Sequence, residues 1–106
     1  MSIKEMKHNA EKVASFLKGL ASHHRLLILC QLAESEKSVS ELIEITGMAQ
    51  TSMSQHLSKL KDEDIVTFRR DHRTLYYSIN NEMVIKIMDL LYQEFCQNND
   101  NEENKE

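Results

Sequence analysis

The sequence contains no proline and no tryptophan, and its 106 residues include only two glycines, Gly19 and Gly47. These absences exclude collagen-like repeats and glycine-rich linkers. They also disfavour a sandwich or barrel of many strands, because the tight turns of such folds need more turn-forming residues. The composition favours helices, and the length is that of one domain with one hydrophobic core.

Long apolar segments and cysteines are also scarce. The longest fully apolar run, residues 26–30, is far too short to cross a bilayer, and residues 1–9 lack the apolar core of a signal peptide. Cys30 and Cys96 are too few for a disulfide scaffold, and no Cys-x-x-Cys motif occurs. We therefore expect a cytoplasmic protein with reduced thiols and no membrane partner.

Negative charge is concentrated at the end of the chain. The net charge is −4, and residues 97–106 hold four acidic residues against one lysine. We expect residues 98–106 to form an acidic, disordered tail and residues 1–97 to form the single folded domain. The acidic balance argues only weakly against a nucleic-acid partner, although domains that bind nucleic acid are often basic.

Hydrophobic periodicity predicts helices over residues 3–20, 22–34, 39–46 and 50–63. Ser38 with Glu41 three residues later forms a capping box, which marks the start of the third helix. Gly47 interrupts the pattern, and glycine tolerates the left-handed conformation of a sharp turn. Two short helices around a glycine turn are typical of a helix-turn-helix.

The period changes after residue 65. Apolar side chains alternate along residues 66–69 and 75–79, on either side of the charged segment 70–74, which predicts a β-hairpin. Asn80 or Asn81 then caps a last helix over residues 82–97. The expected fold is mainly α (α+β): a winged helix-turn-helix of about five helices with one β-hairpin wing.

The last helix predicts a homodimer. Its polar residues Lys86, Asp89 and Gln93 form one narrow strip, and the remaining apolar arc is too wide for one side of a surface helix. A domain of this size cannot cover that arc alone. We expect the first and last helices to form the interface; the alternative is that the last helix is buried within the monomer.

The second helix of the predicted helix-turn-helix has a polar face, and the hairpin tip is basic. Hydroxyl, amide and guanidinium groups can bind base edges and phosphates. The candidate DNA-binding residues are Gln50, Thr51, Ser54, Gln55, His56, Ser58 and Lys59 on the helix and Arg69, Arg70 and Arg73 on the wing. A solvated helix face and a charged, soluble hairpin edge are the alternatives. For His56, a half-buried imidazole that bonds the backbone is as well supported as DNA contact.

No metal site, cofactor or catalytic centre is indicated. The sequence has no carboxylate–histidine cluster with metal-ligand spacing, and the adjacent His23 and His24 face different ways. Taken alone, Cys30 and Cys96 are most simply small hydrophobes. A Cys–His enzyme would need a base beside one thiol, but His24, the histidine nearest to Cys30 in sequence, faces the other side of the helix.

Four segments resemble the ArsR-type repressors. They are LASHHRLLIL at residues 20–29, SVSEL at 38–42, SQHLSKL at 54–60 and YYSI at 76–79. The resemblance runs from about Ala14 to Cys96. It implies a bacterial, homodimeric winged-helix repressor that binds double-stranded operator DNA and is released by an inducer. Three features depart from the pattern: Ala49 in place of a serine N-cap, Asp71-His72 in place of a glycine turn, and the acidic tail.

The family's usual metal ligands are missing, because the third helix has no cysteine and the last helix has no histidine. The positions of Cys30 and Cys96 are instead similar to the persulfide-sensing HlyU/BigR/SqrR branch. That resemblance implies a redox-sensing pair in which sulfane sulfur joins the two thiols through a disulfide or polysulfide bridge. The alternative is an ArsR-type sensor of a metal or another ligand at a site that the sequence does not reveal.

Overall fold

Five α-helices and three strands form residues 2–97, the part of the chain that the computed structural model describes. The helices are α1 (Ile3–Leu20), α2 (His23–Glu34), α3 (Val39–Thr46), α4 (Gln50–Asp62) and α5 (Glu82–Tyr92). The strands are β1 (Lys37–Ser38), β2 (Val66–Asp71) and β3 (Thr74–Ile79). A π-helical turn, Gln93–Gln97, follows α5. The predicted acidic tail, residues 98–106, lies outside the described residues.

Helix α2 lies at the centre of the hydrophobic core, as its apolar sequence predicts. Its residues Ile28 and Leu29 are fully buried, and every later helix and both long strands contribute side chains to the same cluster. Those side chains are Leu42, Met53, Leu57, Leu60, Val66, Tyr77, Val84 and Met88. Full burial of one such aliphatic side chain is worth about 1.5–3 kcal/mol. The shared core therefore packs α4 and the hairpin together with α2 in one domain.

The capping box and the glycine turn of the helix-turn-helix are confirmed. The Glu41 amide donates to Ser38 Oγ at 3.1 Å, and the Ser38 amide donates to Glu41 Oε1 at 2.9 Å. Helix α3 ends at Gly47, whose φ of 74° is left-handed and whose amide donates to the Ile43 carbonyl at 2.8 Å. A side chain at this φ would be strained, which is the reason for glycine at the turn.

The hairpin is confirmed, but the sheet has a third strand that the sequence did not predict. Strand β3 pairs antiparallel with β2, and on its other edge with β1, where Lys37 lies opposite Tyr77. Two residues are too few to show alternation, so β1 was missed. The turn between β2 and β3 places His72 at a φ of 60°, a region where non-glycine residues are uncommon.

The predicted last helix is not one continuous α-helix. Helix α5 begins at the predicted cap, where Asn81 accepts from the amides of Met83 and Val84, but it ends at Tyr92. The π-helical turn that follows makes i→i+5 hydrogen bonds and carries Cys96. A single wider turn is too short to alter the hydrophobic period, so the sequence pattern does not reveal it.

Two apolar surfaces are left uncovered. The buried residues of α1 are Gly19 and Leu20, at its end, while Ile3 is 74% and Leu17 49% exposed along its length. Beyond the middle of α5, Leu90 is 61% and Phe95 64% exposed. Among residues 2–97, no helix has the length and apolar content needed to span a bilayer.

Candidate DNA-binding surface and thiol site

An open cleft of about 770 Å³ runs along α4. Seven of its eight lining residues are the candidates predicted on this helix, and the eighth, Arg25, comes from α2. The lining residues are Arg25, Gln50, Thr51, Ser54, Gln55, His56, Ser58 and Lys59. The predicted helical candidates therefore share one concave surface.

The amphipathic pattern of α4 explains how this surface forms. Met53, Leu57 and Leu60 are buried in the core, and the polar residues between them consequently face outward. Short hydroxyl and amide side chains, such as Ser54 and Gln55, can hydrogen-bond to base edges without holding the helix away from a major groove. This face has the chemistry of a helix that recognises DNA.

Arg25 is a candidate that the sequence analysis did not include. Its Nη1 atom donates to the Gly19 carbonyl at 2.7 Å and lies 3.7 Å from Glu63 Oε2. Both contacts hold the guanidinium beside the middle of α4. The sequence contains no signal for this position, because Arg25 lies in the central α2 segment, far from the helix-turn-helix in the chain.

His56 is half-buried beside a second imidazole. Its ring centroid lies 5.6 Å from that of His24. Burial lowers the pKa of His56 below its ordinary value, and the nearby charges of Arg25, His24 and Lys59 lower it further. At neutral pH this imidazole is therefore mainly uncharged.

The three wing arginines are in different environments. Arg69 Nε donates to both carboxylate oxygens of Glu36, at 3.2 and 3.0 Å, and its guanidinium lies 4.7 Å from the centre of the Tyr76 ring. This contact lowers the pKa of Glu36 and raises that of Arg69. Arg70 and Arg73 are exposed and form no ion pair with residues 2–97.

Strand alternation separates Arg69 and Arg70, which lie on opposite faces of the hairpin. Arg69 and Arg70 therefore cannot both contact the same DNA strand from one face of the wing.

The sequence analysis did not identify Glu36 as the partner of Arg69. An acidic residue in a short loop gives no sign of a partner thirty-three positions away.

The two cysteines are free and differ in access: Cys30 is half-buried and Cys96 is exposed. A cavity of about 310 Å³ between α2 and α5 is lined by Cys30, Ala33, Glu34, Met88, Asp89 and Tyr92. Burial raises the pKa of Cys30, and the charges of Cys96 and then Glu34 raise it further. These effects favour the protonated thiol of Cys30 at neutral pH.

The Cys–His enzyme considered above would need a histidine beside one of the thiols. Besides burial, the groups that shift the pKa of Cys30 are Cys96 and Glu34, and no imidazole is among them. Within residues 2–97, no group of three or more histidine, cysteine or carboxylate side chains is placed to hold a metal ion.

Residues 22–67 match the family of bacterial regulatory proteins described as arsR. The transcriptional activator HlyU of Vibrio cholerae is 35% identical over 99 residues, which span 93% of this chain and 92% of HlyU. The structure of reduced HlyU from that organism covers 89% of this chain and 99% of its own, with a TM-score of 0.83 and 34% identity.

Two further solved structures are similar. The transcriptional repressor BigR from Xylella fastidiosa gives a TM-score of 0.83 at 34% identity, covering 91% of this chain and 98% of BigR. A homodimeric winged helix-turn-helix DNA-binding domain from Mycobacterium bovis gives a TM-score of 0.70 at 34% identity, covering 86% of this chain and 83% of that one.

The fold, the polar face of α4 and these relatives define a winged helix-turn-helix transcriptional regulator. The chain belongs to the ArsR family of bacterial regulatory proteins. The resemblance stated from four sequence motifs is confirmed. The relatives include one named an activator and one named a repressor, so the family alone leaves the direction of regulation open.

Proposed function

We propose that this chain is a homodimeric repressor that binds operator DNA in its reduced state and releases it when Cys30 and Cys96 react with sulfane sulfur. The observation that carries the proposal is that Cys30 on α2 lines one cavity with Met88 and Tyr92 of α5, the helix that continues directly into the turn bearing the exposed Cys96. The repressor BigR, with a TM-score of 0.83, supports the assignment as a repressor.

DNA binding rests on the cleft along α4 and on the exposed arginines of the wing. In this proposal, Thr51, Ser54 and Gln55 contact base edges in the major groove, while Arg70 and Arg73 contact phosphates. Loss of one pair of base contacts costs about 1–3 kcal/mol and relaxes specificity at one position. Loss of a phosphate contact weakens binding to all sequences and reduces the salt dependence by about one contact.

Dimerisation rests on the uncovered apolar surfaces of α1 and of the end of α5. Helix α1 has 18 residues, but Leu20 is its only buried side chain and Phe16 is only partly buried, so a second copy would supply the cover that the monomer lacks. Leu17 and Leu90 are exposed representatives of the two surfaces. A two-fold dimer that spaces two copies of α4 by about 34–36 Å would recognise a near-palindromic operator.

The proposed switch begins at Cys96, because it is the exposed thiol. Its thiolate attacks the outer sulfur of a persulfide RSSH; the S–S bond of the donor breaks, RSH leaves and Cys96 carries a persulfide. Cys30 Sγ then attacks Cys96 Sγ, and the outer sulfur leaves as H₂S with the Cys30 proton. The two thiols lose two electrons and RSSH gains them, so the products are RSH, H₂S and the Cys30–Cys96 disulfide.

A bridge between Cys96 and Cys30 would link the π-helical turn covalently to α2. Helix α2 packs against the helix-turn-helix and α5 leads to the proposed interface, so the bridge would change the spacing or tilt of the two copies of α4. The thiols themselves need not touch DNA. A direct disulfide requires Cα atoms within about 7 Å, and a polysulfide formed with a second persulfide molecule spans a wider gap.

The chemistry is tested by intact-mass measurement of the reduced protein after exposure to a persulfide, with hydrogen peroxide as a second oxidant. On a peptide that joins Cys30 to Cys96 we expect a loss of two hydrogen masses for a disulfide, and the same loss plus one sulfur mass for each further sulfur in a polysulfide bridge. The single variants Cys30→Ser and Cys96→Ser serve as controls and cannot form this peptide. Persulfide treatment that leaves both thiols free would refute the sensing proposal.

The DNA-binding assignment is tested separately with Gln55→Ala and Arg73→Ala, using the exposed Lys12→Ala on α1 as the control. We expect both site variants to weaken operator binding at moderate salt and the control to bind like the parent. Parent-like binding by Gln55→Ala and Arg73→Ala would refute the assigned surface.

The proposed dimer is tested by sedimentation at micromolar protein concentration. A stable monomer would refute it.

A further inference from the structure

We propose that Arg25, His56 and Lys59 form a binding site for a phosphate of the DNA backbone, and that the bound phosphate draws a proton onto the His56 imidazole. The inference rests on the proposed DNA-binding function. It adds a residue of α2 to the DNA-binding surface and links operator binding to proton uptake.

These three residues lie where two clefts meet. A second cleft, of about 440 Å³, adjoins the cleft along α4 and is bounded by the end of α1, the start of α2 and α4. Arg25, His56 and Lys59 line both clefts. Lys18 of α1 lines the second cleft as well. Among the described residues, Glu63 is the only carboxylate lining the two clefts, so cationic groups predominate where they meet.

Arg25 has donors available for an anion. Only its Nη1 atom bonds within residues 2–97, to the Gly19 carbonyl. No buried side-chain nitrogen or oxygen in the described chain lacks a partner, so the remaining guanidinium nitrogens of Arg25, which lines both clefts, are in contact with solvent. A guanidinium presents its N–H groups as a planar fork that matches a phosphate, and the Gly19 contact holds that fork in place.

The present partner of Arg25 is a weak competitor. Glu63 Oε2 lies 3.7 Å from Arg25 Nη1, and the Glu63 side chain is 45% exposed. The Arg25 side chain is only 11% exposed, but the two atoms lie beyond hydrogen-bond distance and water and salt reach the Glu63 end, so this contact is weak. A DNA backbone phosphate that lies beside α4 in the cleft can therefore replace Glu63 as the partner of Arg25, or share Arg25 with it.

His56 faces charged or titratable groups on every element around it. These are Lys18 on α1, His24 and Arg25 on α2, Lys59 on α4, and Glu63 directly after α4. Burial and the neighbouring positive charges keep the pKa of His56 below its ordinary value in the free protein. A phosphate adds the negative charge that the site lacks, and so it favours the imidazolium.

The sign of the pH dependence follows from this change. Because the pKa of His56 is low in the free protein and higher in the complex, operator affinity rises as the pH falls through the interval between the two values. Below the pKa of the free protein the effect levels off. Each unit by which DNA raises the pKa changes the affinity about tenfold per subunit across that interval.

The test measures operator affinity of the reduced protein by fluorescence anisotropy, from about pH 5.5 to about pH 8, where histidines titrate. The variants are His56→Gln, and His8→Gln as the matched control, because His8 is exposed on α1 away from the clefts. NMR of the His56 ring gives its pKa with and without operator. A third arm titrates inorganic phosphate alone, which separates a free-anion site from a DNA-dependent one.

We expect the parent and His8→Gln to bind more tightly as the pH falls, His56→Gln to lose most of this dependence, and operator to raise the pKa of His56. We also expect Arg25→Lys, which keeps the charge but loses the fork, to reduce that rise. Operator binding with no change in the His56 pKa, or an equal pH dependence in His56→Gln, would overturn the inference while leaving DNA binding intact. A pKa rise caused equally by inorganic phosphate would overturn its DNA-specific part. Absence of operator binding at every pH would instead refute the proposed function.

Discussion

Replacing Ala49 by serine should stabilise the protein through the start of α4. Ala49 is the N-cap of this helix, and its φ of −66° and ψ of 149° are the extended values that a capping residue adopts. Its side chain makes no capping hydrogen bond. The Ala49 carbonyl already accepts from Met53 at 2.9 Å. The backbone is therefore arranged for a cap, and only the side-chain oxygen is missing.

The expected gain is about 1 kcal/mol, the typical difference between serine and alanine at an N-cap. For a domain of this size, that corresponds to a rise in Tm of about 4–8 °C. Ser38→Ala provides the opposite change at α3, where the hydroxyl accepts from the Glu41 amide at 3.1 Å. We expect Ser38→Ala to lose at least as much stability as Ala49→Ser gains.

Both variants are compared with the parent by chemical denaturation and thermal unfolding at equal protein concentration, because association makes Tm depend on concentration. Lys86→Ser, at an exposed position on the polar strip of α5, is the control; there serine should cost a few tenths of a kcal/mol through lower helix propensity. An Ala49→Ser variant that is no more stable than the parent, while Ser38→Ala loses stability, would refute the view that α4 lacks only a cap oxygen.

Three further predictions concern the titratable groups Glu36, Glu41 and Cys30. Glu36→Gln should free Arg69 for phosphate, so operator binding should become tighter and its salt dependence steeper by about one contact; an unchanged slope would contradict this. The lowered pKa of Glu41 contributes stability above the unfolded carboxyl pKa of about 4.3, which is lost as the pH falls through the folded value, so Glu41→Gln should flatten the acid limb of the stability–pH curve. Alkylation of Cys30 in Cys96→Ser should accelerate with pH beyond the ordinary thiol pKa of about 8.5, because burial raises the pKa of Cys30; a plateau below that pH would contradict the placement of this thiol.

Local signals predicted most of the fold. The capping box at Ser38, the glycine at position 47 and the alternation of the hairpin each act over a few neighbouring residues, so the sequence displays them directly. The candidates on α4 share one cleft because the spacing of Met53, Leu57 and Leu60 determines which side of the helix faces outward.

Contacts between distant segments could not be predicted. The pairing of β1 with β3, the ion pair of Glu36 with Arg69 and the approach of Arg25 to α4 all depend on how finished elements pack. The π-helical turn at Cys96 is also invisible in the pattern, since it leaves the hydrophobic period almost unchanged. The pairing of Cys30 with Cys96 was predicted from a family resemblance, and not from the spacing of the two cysteines in the sequence.

The most direct test of the proposed switch is operator affinity before and after treatment with a persulfide, in the parent, Cys30→Ser and Cys96→Ser. We predict that the parent loses affinity about 5- to 150-fold, the range of a typical allosteric coupling, and that both variants keep theirs. Restoration of the parent by a thiol reductant should accompany this result. An equal loss of affinity in all three proteins would contradict the account, because the response would then not depend on the Cys30–Cys96 pair.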